Sequence, residues 1–402
     1  MLKLLSRILT GAIFIFSGFV KAVDPKGGAI KISEYLEVIG IHNSDSIGLI
    51  LAIALSTVEF ILGFHLVLGL KIKQVALPTL LFMGAFTIIT LFIALFEPVS
   101  DCGCFGDAIK LSNWETFIKN IIILPFSLVV YNKRKEFDAK LSPVRQHLIT
   151  LLGFSFAIGL SVYCIKYLPV IDFRPYKVGS NIPENMAIPE GADEGEYETS
   201  FILEKDGVKK EFGVDNYPYE DSTWVFVDSK TKVIREGYQP PIAALSFTST
   251  DDEDITNRII NSEKPVFLMV APKLNKASTE NIKAFIDIKN MAYKNDLDFY
   301  VATASLSEDC NAFDKKHAAN FEYALCDETT LKTIIRGNPG LVIIQAGTII
   351  AKYNHSQLPS ANELKNPLSH SIQALSHTNE RTWLWLCFTA MMGMLVIIYK
   401  FK

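Results

Sequence analysis

Cysteine is scarce in this sequence, with 6 among 402 residues. That excludes a small scaffold stapled by disulfides. Basic excess is absent too. The 39 Lys+Arg against 43 Asp+Glu leave a formal net charge of -4, which gives nucleic acid nothing to hold. There is no Walker-type phosphate loop, no dinucleotide glycine fingerprint and no HExxH zinc motif. Apolar residues, by contrast, are abundant. They make up 49% of the chain and gather in blocks, the pattern of membrane spans rather than of a soluble core. The length allows two or three domains.

Six runs are long enough to cross a bilayer: 2–23, 47–70, 75–96, 114–131, 148–168 and 383–399. Lys3 and Arg7 open the first, so a cleaved leader is its rival reading. Phe19-Val20-Lys21-Ala22-Val23 offers no small-x-small cleavage site, and the run is expected to stay as a span. Gly11, Ser17 and Gly18 are residues that let membrane helices approach closely. In the polar stretch 21–46, Ile30, Tyr35, Leu36, Val38 and Ile39 fit one side of a helix lying on the membrane; a plain loop fits as well. The second run carries Glu59 and His65. A carboxylate deep in lipid costs at least a few kcal/mol and marks a functional site by default. Glu59 could be protonated, pair with a base, relay protons, or only knit helices together. His65, near the end of its run, is expected to face headgroups. The fourth run contains Lys119, able to snorkel, and Pro125, expected to kink it. Trp383 and Trp385 anchor the last run.

Lys and Arg collect on cytoplasmic loops. That places the N-terminus, Lys71/Lys73, the 132–147 loop and the C-terminus inside, with Lys21, Lys26 and Lys31 dissenting. The loop after the third run and the long 169–381 segment then lie outside, where disulfides persist.

That loop reads Asp101-Cys102-Gly103-Cys104-Phe105-Gly106-Asp107. Paired cysteines need Cα atoms about 4.4–6.8 Å apart. One intervening residue allows this only in a sharp turn, which Gly103 permits. A ring so small is strained, and strained disulfides tend to be labile or catalytic. A redox dithiol is the functional reading. A loop staple and two inert thiols are the bland ones. Two cysteines cannot close a structural zinc site, and no His lies beside them. Asp101 and Asp107 disfavour a thiolate and Lys110 favours one. Which cysteine attacks stays open.

Residues 169–242 read as an extended, turn-rich connector. From 243 to 376, strands and helices alternate: strands at 265–270, 298–302 and 321–325, helices at 278–295, 307–318 (Ser307 as its cap) and 329–335, a hairpin at 341–353 and a last helix over 360–376. This is the pattern of an α/β domain.

The stretch Arg336-Gly337-Asn338-Pro339-Gly340-Leu341-Val342-Ile343-Ile344-Gln345-Ala346-Gly347 resembles the segment of thioredoxin-fold proteins that carries a cis-proline before a hairpin, with Pro339 in that place. The thioredoxin dithiol should follow the first core strand, at a helix start. Here that place reads Ala271-Pro272-Lys273-Leu274-Asn275-Lys276, without cysteine. Cys310 and Cys326 lie elsewhere and are expected to be structural or free. The resemblance implies a binding or docking module.

Residues 1–131 resemble the DoxX-like and MauE-like bacterial membrane proteins. The likeness rests on Arg7, Gly11, Ser17-Gly18, Lys21 and Asp24-Pro25, then Glu59 and Gly63, then Cys102-Gly103-Cys104-Phe105-Gly106-Asp107. It implies a four-helix unit tied to thiol-disulfide or quinone-linked electron transfer. MauE-like members are linked to maturation of methylamine dehydrogenase. The expected fold is therefore an α-helical polytopic membrane bundle (1–168), a connector (169–242), an extracytoplasmic thioredoxin-like α/β domain (243–376) and a final span (383–400), in a bacterial inner membrane. The leading functional reading is a membrane thiol-disulfide oxidoreductase. Cys102 and Cys104 would exchange electrons, Glu59 would handle protons, and a quinone or an outer protein partner would complete the circuit. A non-enzymatic scaffold, whose thioredoxin-like domain binds a secreted client, is the alternative. A transporter fits least, since no other charge lies centrally.

Overall fold

The computed structural model describes the chain apart from residues 43, 100, 138–140, 194, 206–207, 214–215, 220, 222, 236, 368–392 and 394–402. The expected span at 383–399 therefore lies outside the described residues, as does Cys387.

Among the described residues, five helices are long and apolar enough to cross a membrane: α1 (Leu2–Val23), α3 (Asp45–Leu68), α4 (Ile72–Phe96), α5 (Asn113–Asn132) and α6 (Pro143–Lys166). Between the first two sits α2 (Pro25–Val38), so the polar stretch is a helix and not a loop. Asp24 ends α1 and caps α2: its carboxylate accepts from the Gly27 amide at 3.0 Å, and Pro25 opens the new helix. The bundle is tied most tightly along α1 and α3. Glycines make that approach possible: a Cβ on Gly18 would lie 2.4 Å from the Phe60 amide nitrogen, and one on Gly63 would lie 2.6 Å from the Gly11 carbonyl.

The crossings fix two ends. Lys3 bonds Glu136 at 3.2 Å at one of them. At the other lie α2, the cysteine loop and the α/β domain. His65 does not face headgroups. It is buried, with Nδ1 2.7 Å from the Ile61 carbonyl and Nε2 2.9 Å from Thr150 Oγ1 on α6. An imidazole that bonds the neighbouring helix satisfies itself without water. Pro125 lies inside a continuous α5.

The expected connector divides. The chain from Tyr176 through α7 (Ile182–Met186) packs into the α/β core through Tyr176 and Ile182 and bonds the Gly347 carbonyl through the Ile182 amide. Three strands, β1 (Glu196–Lys205), β2 (Val208–Gly213) and β3 (Val225–Arg235), then form their own antiparallel sheet in the order β2-β1-β3.

The α/β domain holds β4 (Thr248–Ser249), α8 (Thr256–Ile260), β5 (Val266–Val270), α9 (Ile282–Lys294), β6 (Phe299–Thr303), α10 (Ser307–His317), β7 (Tyr323–Leu325), α11 (Glu328–Ile334), β8 (Gly340–Gln345) and β9 (Thr348–Asn354). Its sheet runs β4-β7-β6-β5-β8-β9. β5, β6 and β7 are parallel, β8 is antiparallel to β5, and β9 is antiparallel to β8. This is the thioredoxin-like arrangement, with Asn338–Pro339 cis ahead of β8. The central strands are apolar without alternation because helices cover both faces. Ser307 is the first helical residue of α10 and makes no cap bond. Of the helix expected at 360–376, residues 368–376 lie outside the described residues, and a 3₁₀ turn at Glu363–Lys365 precedes them. Cys310 packs into one face of the sheet and Cys326 against the other, so they cannot pair.

Gly18→Val should lower bundle stability in detergent by about 1–3 kcal/mol, because the new methyls meet backbone that cannot move aside. A Cβ on Gly84 would have nothing within 4 Å, so that position should accept alanine without loss. Equal losses in unfolding experiments would contradict this packing.

Candidate functional site

The loop from Asp101 to Asp107 is folded by its own short-range bonds. Asp101 Oδ1 accepts from the Gly103 amide at 2.9 Å, and the Gly106 amide reaches the Gly103 carbonyl at 3.1 Å. Gly103 has φ +65°, which a side chain would resist. The turn brings Cys102 Sγ and Cys104 Sγ to 2.9 Å as free thiols.

The bundle holds this loop from three sides. Tyr35 on α2 donates to the Cys102 carbonyl at 3.0 Å, and Lys31, also on α2, pairs with Asp101 at 2.9 Å. Phe105 is buried, edge-on to Phe16 at 5.3 Å, with Lys119 Nζ 4.2 Å from its ring centre. Below, Ser17 Oγ lies 2.8 Å from both the Cys104 carbonyl and Glu59 Oε2, and its single proton can serve either. Glu59 is paired: Lys21 Nζ sits 2.7 and 2.9 Å from its two oxygens, and both side chains are nearly sealed from solvent.

A cavity opens between α1, α3, α4 and α5 beneath Cys104, with about 400 Å³ of unfilled space, its open mouth included. Phe14, Phe82, Phe86 and Phe105 supply aromatic wall, and Lys21, Glu59, Lys119 and Asn120 supply the polar groups. Cys104 also lines a small outer cleft with Asp101, Gly106 and Lys110, and Cys102 lines neither space. The two ammonium groups and one carboxylate of the inner cavity are electrically balanced when Cys104 carries a negative charge.

The electrostatics agree. The hydrogen bond shared by the two sulfurs lowers the Cys104 thiol below the ordinary thiol range against the opposing effect of burial, and the Lys119 and Lys21 charges help. Cys102 is pushed far above the ordinary thiol range by its bond with Cys104, by burial and by the charge of that neighbour. Cys310 and Cys326 go up to about 11 and about 12 through burial, as inert thiols do.

The sequence motif locates the two cysteines, and Glu59 falls beside them. Pro339 lies away from this cluster, in the α/β domain, where the loop that contains it approaches the bundle through Arg336. The family likeness rests partly on Ser17 and Lys21 without giving them a role in the site, and nothing in the sequence places Tyr35 and Lys119 there. Among the described residues no cluster of three or more His, Cys, Asp or Glu could hold a metal.

Bundle and domain together define a polytopic membrane unit with a two-cysteine mouth, joined to a thioredoxin-like α/β domain. Residues 1–132 match the family model described as methylamine utilisation protein MauE, a match that ends with α5. Residues 197–236, in the three-stranded sheet, match a family model described only as a domain of unknown function. No curated protein matches. Among solved structures, a solution structure from Bacteroides thetaiotaomicron, whose name proposes a protein disulfide isomerase, covers 33% of this chain and 90% of its own at 16% identity, with a TM-score of 0.27.

Alkylation of the reduced protein should show one fast thiol, Cys104. Its rate should rise about tenfold per pH unit and level off at a pH below the ordinary thiol range, since only the thiolate reacts. Cys102 should stay slow through about pH 9. Mass spectrometry of labelled peptides distinguishes them, and reversed rates would contradict the assignment.

Proposed function

We propose that this chain is a membrane thiol-disulfide redox protein whose Cys102 and Cys104 cycle between dithiol and disulfide. The observation that carries the reading is the placement of the two sulfurs: 2.9 Å apart, in a turn pinned at the mouth of a helical bundle, above a charged cavity.

Cys104 is the attacking sulfur. Its thiolate attacks a disulfide of an outer protein partner, forms a mixed disulfide and releases the partner's second sulfur as a thiolate. Cys102 loses its proton and attacks Cys104, closing the Cys102–Cys104 disulfide and releasing the partner's first sulfur. Reversal of these steps oxidises a partner instead, and the mixed disulfide sits on Cys104 in both directions. Glu59 and Lys21 move the protons, as the titratable pair nearest the reacting sulfur inside the bundle.

On the membrane side the chain exchanges electrons with a quinone or another membrane carrier. The aromatic wall and the two ammonium groups suit a quinone headgroup. When bound, such a group would supply a two-electron, two-proton couple matching the dithiol. This reading fits a bacterial inner membrane, with the cysteine loop and the α/β domain outside.

The missing dithiol at Ala271–Lys276 favours one rival, a scaffold in which the cysteines only shape a loop. The two are separable. Trapping thiols by alkylation in native membranes should reveal both redox forms, shifting when thiols are added or the respiratory chain is blocked. A pair that stays in one state throughout, together with an unchanged phenotype for Cys102→Ser/Cys104→Ser, would establish the scaffold instead.

Glu59→Gln should slow cycling by about 10²-fold or more if it handles protons. It should also destabilise the bundle by about 3–5 kcal/mol by leaving Lys21 unpaired. Lys21→Met/Glu59→Gln should restore stability but not cycling. Recovery of cycling in the double variant would reduce the pair to a helix tie.

A further inference from the structure

The α/β domain touches the bundle with one edge of its sheet. Open α/β sheets bind ligands beyond the carboxyl ends of their parallel strands. Here that edge is formed by the 271–278 loop after β5, by residues 335–339 leading into β8, and by the end of β9, since Val270 pairs with Gly340 and Gly340 with Asn354. Polar links to the membrane unit come from this edge. Lys276 pairs with Asp45 at 2.6 Å. Asn354 and Ser356 donate to the Lys166 carbonyl at 2.6 and 3.1 Å. Lys26 donates to the Arg336 carbonyl at 2.8 Å.

Arg336 itself is the centre. Its Nη2 lies 2.7 Å from Asp24 Oδ2 and 3.1 Å from Asp107 Oδ2, its Nε bonds Asp24, and its Nη1 donates to the Lys332 carbonyl at 2.7 Å. Its side chain is only 8% exposed. Burial alone would push the Asp24 carboxyl up, but the Arg336 and Arg174 charges outweigh it and hold it below the usual range. Gly27 leaves the room: a Cβ there would lie 2.8 Å from Arg336 Nη2. Asp24 ends the helix that carries Ser17 and Lys21, and Asp107 closes the loop that carries Cys104.

We infer that the occupant of the domain's ligand-binding edge is the chain's own cysteine loop, and that Arg336 is a positioning residue holding that loop, through Asp107, over the end of α1. A thioredoxin-like domain without a dithiol thereby serves a dithiol on another part of the same chain. An outer partner cannot use this edge while the clamp is closed; it meets Cys104 from the outer cleft. The docking part is independent of the redox reading, whereas the consequence for Cys104 reactivity rests on the reading of Cys104 as the attacking sulfur.

The test uses the full chain in membranes. A zero-length carbodiimide cross-linker should join Lys276 to Asp45 in the wild type, as found by peptide mass spectrometry, and this product should fall at least about fivefold in Arg336→Gln. In the same variant the pH midpoint for alkylating Cys104 should rise by about one unit or more as the loop leaves the Lys21 and Lys119 charges. Arg336→Lys should fail to restore either, because a single ammonium cannot span both carboxylates. Gly27→Leu, which alters no charge, should reproduce both effects by displacing the guanidinium. Absence of the wild-type cross-link would overturn the docking. A cross-link lost without a change in the midpoint would overturn the positioning role. A protein that meets both expectations yet never cycles its thiols would sink the redox reading and leave the clamp standing.

Discussion

Lys21 and Glu59 lie within membrane-spanning helices, and neither could be there alone. Removing a charge from water costs several kcal/mol, and attraction repays it only when geometry is close and the remaining lone pairs are satisfied. The pair meets both conditions, with two short contacts and the Ser17 hydroxyl alongside. Ser17 Oγ is equally close to the Cys104 carbonyl, so its one proton serves the ion pair or the loop in turn. The glycine contacts between α1 and α3 serve this arrangement, since Lys21 and Glu59 meet only if those two backbones come close.

The cysteine pair owes part of its asymmetry to the charges around it. Both sulfurs sit in one turn, separated by one residue, and an isolated peptide would distinguish them little. The protein distinguishes them by what each faces. Cys104 looks onto two cationic side chains, and Cys102 is held through its carbonyl by Tyr35. The domain above adds a second restraint through Asp107 and Arg336. An otherwise unexplained loss, a thioredoxin-like domain without cysteines at Ala271–Lys276, becomes intelligible when that edge is seen against the bundle.

Much is legible in the linear chain. Long apolar runs announce the five described spans because lipid demands about 20 apolar residues per crossing. The alternation of strand and helix announces the α/β domain. Where sequence and structure part, neighbours distant in the chain decide the outcome. The place of His65 in its run points to headgroups, but Thr150, 85 residues on, gives it a partner indoors. The turn-rich chain at 176–186 looks like linker because its few apolar residues matter only where β9 lies beside them.

The sequence by itself determined the five described spans, the α/β class and the presence of two cysteines one glycine apart, since composition and period act locally. Only the tertiary structure decided that Lys21 neutralises Glu59, that Lys119 stands over the loop, and that Arg336 closes on Asp24 and Asp107. The partners lie 38 residues apart for Lys21 and Glu59, 312 for Asp24 and Arg336, and 229 for Asp107 and Arg336. No local pattern encodes such distances; a charge finds its partner only after the helices and the sheet have been packed.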